Sequence, residues 1–458
     1  MYLKYSNYRV GRRRGKVLGK NSAWADGKNT GPLISLGVLL CWAAWAVTGF
    51  NHSVAAAPGV PEKEEKAESP NRLPTDITIR SFLLETNRLK INCPQQSYVL
   101  RDRTSSREIK RLPAGYACRL SRNQDRWDLT DRQGKNIWPA DAPRAGEIED
   151  IEVVPDPNGF IAVGVKKLNT YRGRLRLVSN APDSFATVNV VDIESYLAGV
   201  LGAEMPMHWP RAALRAQCIA ARTYALYYRN NNSLKDWDIG STEESQMYGG
   251  LAYETQRTTE TVHETSGLVL AWGPAGKEKL FPAYYSAICG GHTQDAEPVF
   301  GMSLAPLKGC SCPYCRVVAP PQCYQWPEVT LDKSKAQKLL LKKYPSLARL
   351  KRIVDIKIVQ KSPFGRLERV KLTGSNGQES CLSGEELRNA WYTPDTAILS
   401  SCFELHDTGS AWRIDQGHGW GHGVGLCQYG SRQMARLGRD SVDILEYYYP
   451  QAVLLRAY

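Results

Sequence analysis

No nucleic-acid-binding signature, no internal repeat and no familiar hydrolase motif occurs in these 458 residues. The missing signature matters because the chain carries a net charge of +13. Residues 1–30 hold about +7 of it, and the mild excess over the rest fits an anionic polymer surface but argues little by itself. No Gly-x-Ser-x-Gly elbow is present, so Ser286 and His292 do not make a serine hydrolase. His418 and His422 stand four apart, the spacing of zinc ligands on a helix. Five glycines between 417 and 425 oppose a helix there, and the glutamate of a zinc protease is missing. A Gly-rich turn that brings backbone and His422 close to a ligand fits better, beside the simpler reading of a hairpin with a hydrogen-bonded His.

What is present sorts by position. Eight of the first 30 residues are Lys or Arg, against Asp26 alone. A 19-residue uncharged run, Pro32 to Phe50, follows and is about long enough to cross a bilayer core. The basic flank predicts a cytoplasmic tail over 1–31, a signal anchor over 32–50 and an extracytoplasmic remainder. A cleavable signal peptide is the other reading, with Ala55-Ala56-Ala57 as its small-residue site. Residues 51–76, rich in Ala, Pro, Glu and Lys, read as a disordered linker. The folded part is expected over 77–458.

Short strands separated by Gly and Asp turns fill 77–159, a β-rich lead-in, and run on to Val191. The core, 160–458, is organised around an apolar run ending in Glu204-Met205-Pro206 and a helix predicted over about 210–230. Pro210 suits the start of that helix, and Leu214, Cys218, Ala221, Ala225 and Tyr228 form its apolar face. Further helices are expected over 255–266, 336–350, 382–391 (capped by Ser383) and 431–437. The predicted fold class is α+β, with β-rich segments packed around a core containing the 210–230 helix and a membrane anchor in front.

Glu204 is the residue with chemical promise. A carboxylate where an apolar segment meets a turn is easily desolvated, which raises its pKa toward that of a useful general acid. A solvated loop glutamate is the plain alternative. Asp192, Glu194, Glu243 and Glu244 are the carboxylates available as partners.

Several ordered motifs resemble the stage II sporulation protein D family, which includes amidase enhancers. They are Val190-x-Asp192-x-Glu194-x-Tyr196-Leu197-x-Gly199-Val200, Glu204-Met205-Pro206 and the Ala212–Leu226 helix. Gln246-x-Tyr248-x-Gly250, Tyr285-Ser286-x-x-Cys289-Gly290-Gly291-x-Thr293, His422-Gly423-Val424-Gly425 and Gln428-Tyr429-Gly430 complete the set. The resemblance implies a peptidoglycan lytic transglycosylase that cleaves peptide-free glycan strands with no catalytic cofactor, Glu204 acting as acid and then base. It also implies substrate contacts from Arg222, Gln246, Tyr248, Ser286, His422, Gln428 and Tyr429. Non-enzymatic readings stay open: a glycan-binding activator of a cell-wall amidase, or a structural envelope protein. Zinc-binding members of the family carry Cys and His just before the Gln-x-Tyr segment; Glu244-Ser245 stand there in this chain.

Twelve cysteines are too many to be incidental and too sparse for a small disulfide scaffold. Cys289-x-x-His292 and Cys312-x-x-Cys315 are two compact ligand pairs, and together they predict a structural Cys₃His zinc site. Disulfides are the alternative, with Cys310 and Cys323 nearby in sequence.

Overall fold

The computed structural model describes residues 77–142, 145–393 and 395–458. The predicted tail, anchor and linker (1–76) lie outside the described residues. Among the described residues no helix is long and apolar enough to cross a membrane.

The chain is mixed α+β and sheet-rich. Its strands in order are β1 (Thr78–Thr86), β2 (Arg88–Asn92), β3 (Tyr98–Asp102), β4 (Glu108–Leu112), β5 (Ala117–Asn123) and β6 (Arg126–Thr130). Then follow β7 (Ile151–Pro155), β8 (Ile161–Gly164), β9 (Asn169–Tyr171), β10 (Arg174–Ala181), β11 (Ser184–Asp192) and the short β12 (Ile239–Gly240). Seven form one sheet in the order β12-β1-β11-β10-β7-β3-β4, and five form another in the order β6-β5-β2-β8-β9. Alternation sets the faces: along β2, Leu89 and Ile91 are buried while Arg88 and Lys90 are exposed. Gly173 lies between β9 and β10. Gly173 has φ +75°, and a Cβ there would lie 2.3 Å from the Val190 carbonyl. The chain turns at that point because only glycine fits.

Strand β11 runs directly into helix α1 (Ile193–Glu204). Asp192 caps it, its Oδ1 accepting from the Ser195 amide at 3.0 Å. The Tyr196–Leu201 run is buried on all sides because α1 is sandwiched, and Pro206 follows its end. Gly199 and Gly202 let neighbours approach: a Cβ would meet the Tyr248 ring at 2.8 Å and the Tyr253 carbonyl at 2.0 Å. Helix α2 (Arg211–Asn231) is buried from Ala213 to Leu226, apart from Arg215, as the central helix of the core. It packs on α1, on α3 (Gln256–Glu264) and on the strand Leu268–Trp272. Its alanines allow the close approach, and each large apolar neighbour buried there contributes about 1.5–3 kcal/mol.

A second core, not anticipated from sequence, gathers Trp326, Leu340, Val370, Leu387, Trp391, Phe403 and Ile414. The helix expected over 336–350 is two elements, α4 (Lys333–Lys343) and a 3₁₀ segment Pro345–Leu350, because Pro345 cannot continue it. Helix α5 (Gly384–Trp391) starts at the predicted Ser383, with Glu386 completing a capping box. Helices α6 (Gln428–Arg436) and α7 (Ser441–Tyr448) return the chain to α2.

Candidate functional site

Glu204 is the last residue of α1. The helix presents its carbonyl end there, so the macrodipole disfavours a negative charge. The side chain is half-buried, packed by protein yet reachable from solvent. Its Oε1 accepts from the Met247 amide at 2.8 Å and from the Tyr285 hydroxyl at 3.2 Å. Gln428 Nε2 approaches Oε2 at 3.5 Å. Among the described residues no cation pairs with it. Desolvation therefore raises its pKa from 4.5 to about 7, against the lowering effect of these donors and with a smaller push from the Glu243 carboxylate. Of the four candidate acidic partners, only Glu243 acts this way. Asp192 caps α1, Glu194 pairs with Arg222 and Glu244 with Lys343.

A hydrogen-bonded chain holds the site. Tyr196 Oη donates to Gln246 Oε1 at 3.1 Å, and Gln246 Nε2 donates to Tyr285 Oη at 3.0 Å and to the Ala221 carbonyl at 3.2 Å. Tyr285 passes this order on to Glu204. Burial, then the Glu204 charge, push the Tyr285 phenol well above its ordinary pKa, so it stays a donor. Behind it, His422 Nε2 lies 2.9 Å from the Tyr285 carbonyl, and His422 Nδ1 accepts from the Val424 amide at 3.0 Å. One nitrogen must donate and the other accept, which fixes the neutral tautomer. Burial agrees, lowering the His422 pKa to about 4.

The sequence-predicted residues thus divide. Glu204, Gln246 and Gln428 converge, and His422 braces Tyr285. Tyr429 stays partly exposed beside Gln428, its ring edge-on to Trp209 at 4.8 Å. Tyr248 lies behind α1, its hydroxyl on Asn189 Oδ1 at 2.9 Å and its ring against Tyr196. Ser286 is buried, and its Oγ has no hydrogen-bond partner among the described residues. Arg222 is a correction. It is 0% exposed, bonded to Glu194 Oε2 at 2.7 Å and to the Val262 and Leu268 carbonyls, so it braces the core and does not open on solvent. Tyr285 was missed as a site residue. In a strand, neighbours face opposite sides, and it is Tyr285, not Ser286, that looks toward Glu204.

The expected zinc ligands also need correcting. Cys289, Cys312 and Cys315 do meet, but their fourth companion is Cys427; the four sulfurs lie within 4.8 Å of one another. His292 is not among them. Its ring stacks on Phe364 at 3.2 Å, with Nδ1 against the Thr293 carbonyl. His418 and His422 form no ligand pair either: His418 Nε2 lies 3.2 Å from Cys402 Sγ.

Comparison with known proteins agrees with this core. The family described as Stage II sporulation protein matches residues 182–272, which span β11, α1, α2 and α3. A domain of unknown function matches 319–425, the region of the second core. An uncharacterized protein of Brachyspira hyodysenteriae is 32% identical over 296 residues, covering 64% of this chain and 73% of the relative. Stage II sporulation protein D of Bacillus subtilis is 26% identical over 278 residues, 57% of this chain and 74% of the relative. The Amidase enhancer of Bacillus subtilis is 27% identical over 295 residues, 56% of this chain and 40% of the relative. The chain belongs to the family of stage II sporulation protein D and the amidase enhancers.

Proposed function

We propose that this protein is a lytic transglycosylase that cleaves peptide-free glycan strands of the cell wall. The observation that carries the reading is Glu204: a reachable carboxyl, without a cation partner among the described residues, whose pKa of about 7 keeps it substantially protonated near neutrality. The protonated carboxyl gives its proton to the glycosidic oxygen as the C1–O bond breaks. The resulting carboxylate takes the proton of the sugar's own 6-hydroxyl as that oxygen bonds C1, closing an anhydro ring. The nucleophile belongs to the substrate and is already near, so no second carboxylate is needed. Proton transfer of this kind contributes ~10²–10⁴-fold. Met247 N–H and Tyr285 Oη hold Oε1, leaving Oε2 with the single longer contact to Gln428.

The uncharged run at 32–50 anchors the enzyme in this reading, with the folded part outside the membrane. The test is incubation of the protein with peptide-free glycan and mass spectrometry of the products. Wild type yields anhydro ends, and Glu204→Gln loses cleavage by at least ~10²-fold with glycan binding kept. Equal cleavage by the Gln variant refutes the assignment. A relative named Amidase enhancer motivates a second reading, a glycan-binding activator of an amidase. Stimulation of an amidase by both proteins, with anhydro ends from neither, would establish that one instead.

A further inference from the structure

We propose that Cys289, Cys312, Cys315 and Cys427 bind one structural zinc ion, and that this ion pins the segment carrying Gln428 against the site. All four residues are at least 97% buried and all four are free thiols. A tetrahedral zinc with Zn–S bonds of about 2.3 Å sets its sulfurs about 3.8 Å apart. The four Sγ atoms here lie within 4.8 Å of one another, and Cys289 and Cys315 are 3.6 Å apart. A disulfide needs its sulfurs at about 2.05 Å and joins only two of the four. Tetrahedral S₄ donors select zinc among the common divalent ions.

The surroundings suit thiolates. The Cys289 and Gly430 amides donate to Cys427 Sγ at 3.3 and 3.4 Å. Cys427 also caps α6, where the helix N-terminus favours negative charge. Tyr448 Oη lies 3.1 Å from Cys312 Sγ, and the buried Arg366 donates to the Cys289 carbonyl at 2.9 Å. Such outer contacts orient metal ligands and offset their charge. Gly430 records the crowding: a Cβ there would lie 2.8 Å from Cys312 Sγ and 2.0 Å from Tyr448 Oη.

The ligands come from three segments: the turn before Gly290-Gly291, the 312–315 loop and the end of the strand Leu426–Cys427. That strand pairs in parallel with Tyr285–Ser286, whose tyrosine holds Glu204. Gln428, next to Cys427, reaches Glu204 from the other side. Four protein ligands leave no open position for water, so the ion shapes the site and takes no part in bond cleavage.

The inference stands apart from the cleavage reading, and its test reads metal and thiols. The full chain, purified without chelator, is expected to carry about one zinc by mass spectrometry of the metal. Cys289, Cys312, Cys315 and Cys427 resist alkylation until a chelator is added, while the exposed Cys381 reacts at once. Cys427→Ser drops zinc content by about tenfold or more, whereas His292→Ala and Cys310→Ser keep it. Should Cys427→Ser fail to fold, the wild-type alkylation pattern still decides. A metal-free folded protein, any of the four thiols in a disulfide, iron in place of zinc, or zinc lost from His292→Ala with Cys427→Ser retaining it, each overturns the proposal.

Discussion

Helix α1 carries a glutamate near each end, and the two live in opposite environments. Glu194 sits in the first turn, where the helix dipole favours its charge, and it pairs with the fully buried Arg222. Tyr458 and Ser266 also donate to it. Glu204 sits in the last position, where the dipole disfavours charge; among the described residues it has hydrogen-bond donors but no cation. One carboxylate is committed to the fold. The other is kept close to neutral and within reach of solvent. The comparison separates an ion-paired carboxylate from a desolvated one on a single helix, and it shows how a buried arginine in a family motif can be committed to the core.

The sharpest way to break the comparison is to exchange the roles. Glu204→Gln is expected to remove glycan cleavage by ~10²–10⁴-fold, while Glu194→Gln leaves the chemistry of any folded fraction intact. The order reverses for stability. Arg222→Met strands the Glu194 charge and should cost about 3–5 kcal/mol in denaturant unfolding, with the Arg222→Met/Glu194→Gln double variant recovering part of it. An Arg222→Met protein of unchanged stability that no longer binds glycan would return Arg222 to the site.

A smaller effect tests the unpaired state of Glu204. Its folded pKa of about 7 lies above its ordinary 4.5, so between those values the unfolded chain binds fewer protons. Stability therefore falls as pH rises through that window, and above it the full penalty is present. Glu204→Gln removes the penalty and should be more stable than wild type at mildly alkaline pH, by up to about 3 kcal/mol, with no gain at pH below the ordinary carboxylate value. A Gln variant with no alkaline gain would mean that Glu204 ionises freely. The smallest expected effect belongs to Tyr285→Phe. Loss of its donor should raise the Glu204 pKa by less than about one unit, and slow cleavage about tenfold or less.

Much of this was legible in the sequence where the signal is local. The Ser383 cap, the 210–230 helix and the β-rich lead-in follow from periodicity and turn chemistry. The apolar run before Glu204 made a desolvated carboxylate one expectation beside a solvated loop glutamate, and it did not reveal that the run is a helix. What escaped depends on distant pairing. Arg222 looked like a site residue until the fold supplied Glu194, 28 residues earlier. His292 looked like a ligand because it stands three residues from Cys289. The actual fourth thiol lies 138 residues from Cys289, brought in by the parallel pairing of Ser286 with Cys427. Tyr285 was concealed by its neighbour Ser286, since the choice between them depends on which face of a two-residue strand meets α1. The second core, around Trp326 and Trp391, has no single motif to announce it.

The account turns on the ionisation of Glu204 in the folded protein. Carbon-13 labelling of glutamate side chains and titration by NMR, in wild type and in Glu204→Gln, measures it without reference to any substrate. The account predicts one carboxyl resonance titrating near 7 that is missing from the variant. A Glu204 resonance that titrates near 4.5 would contradict it.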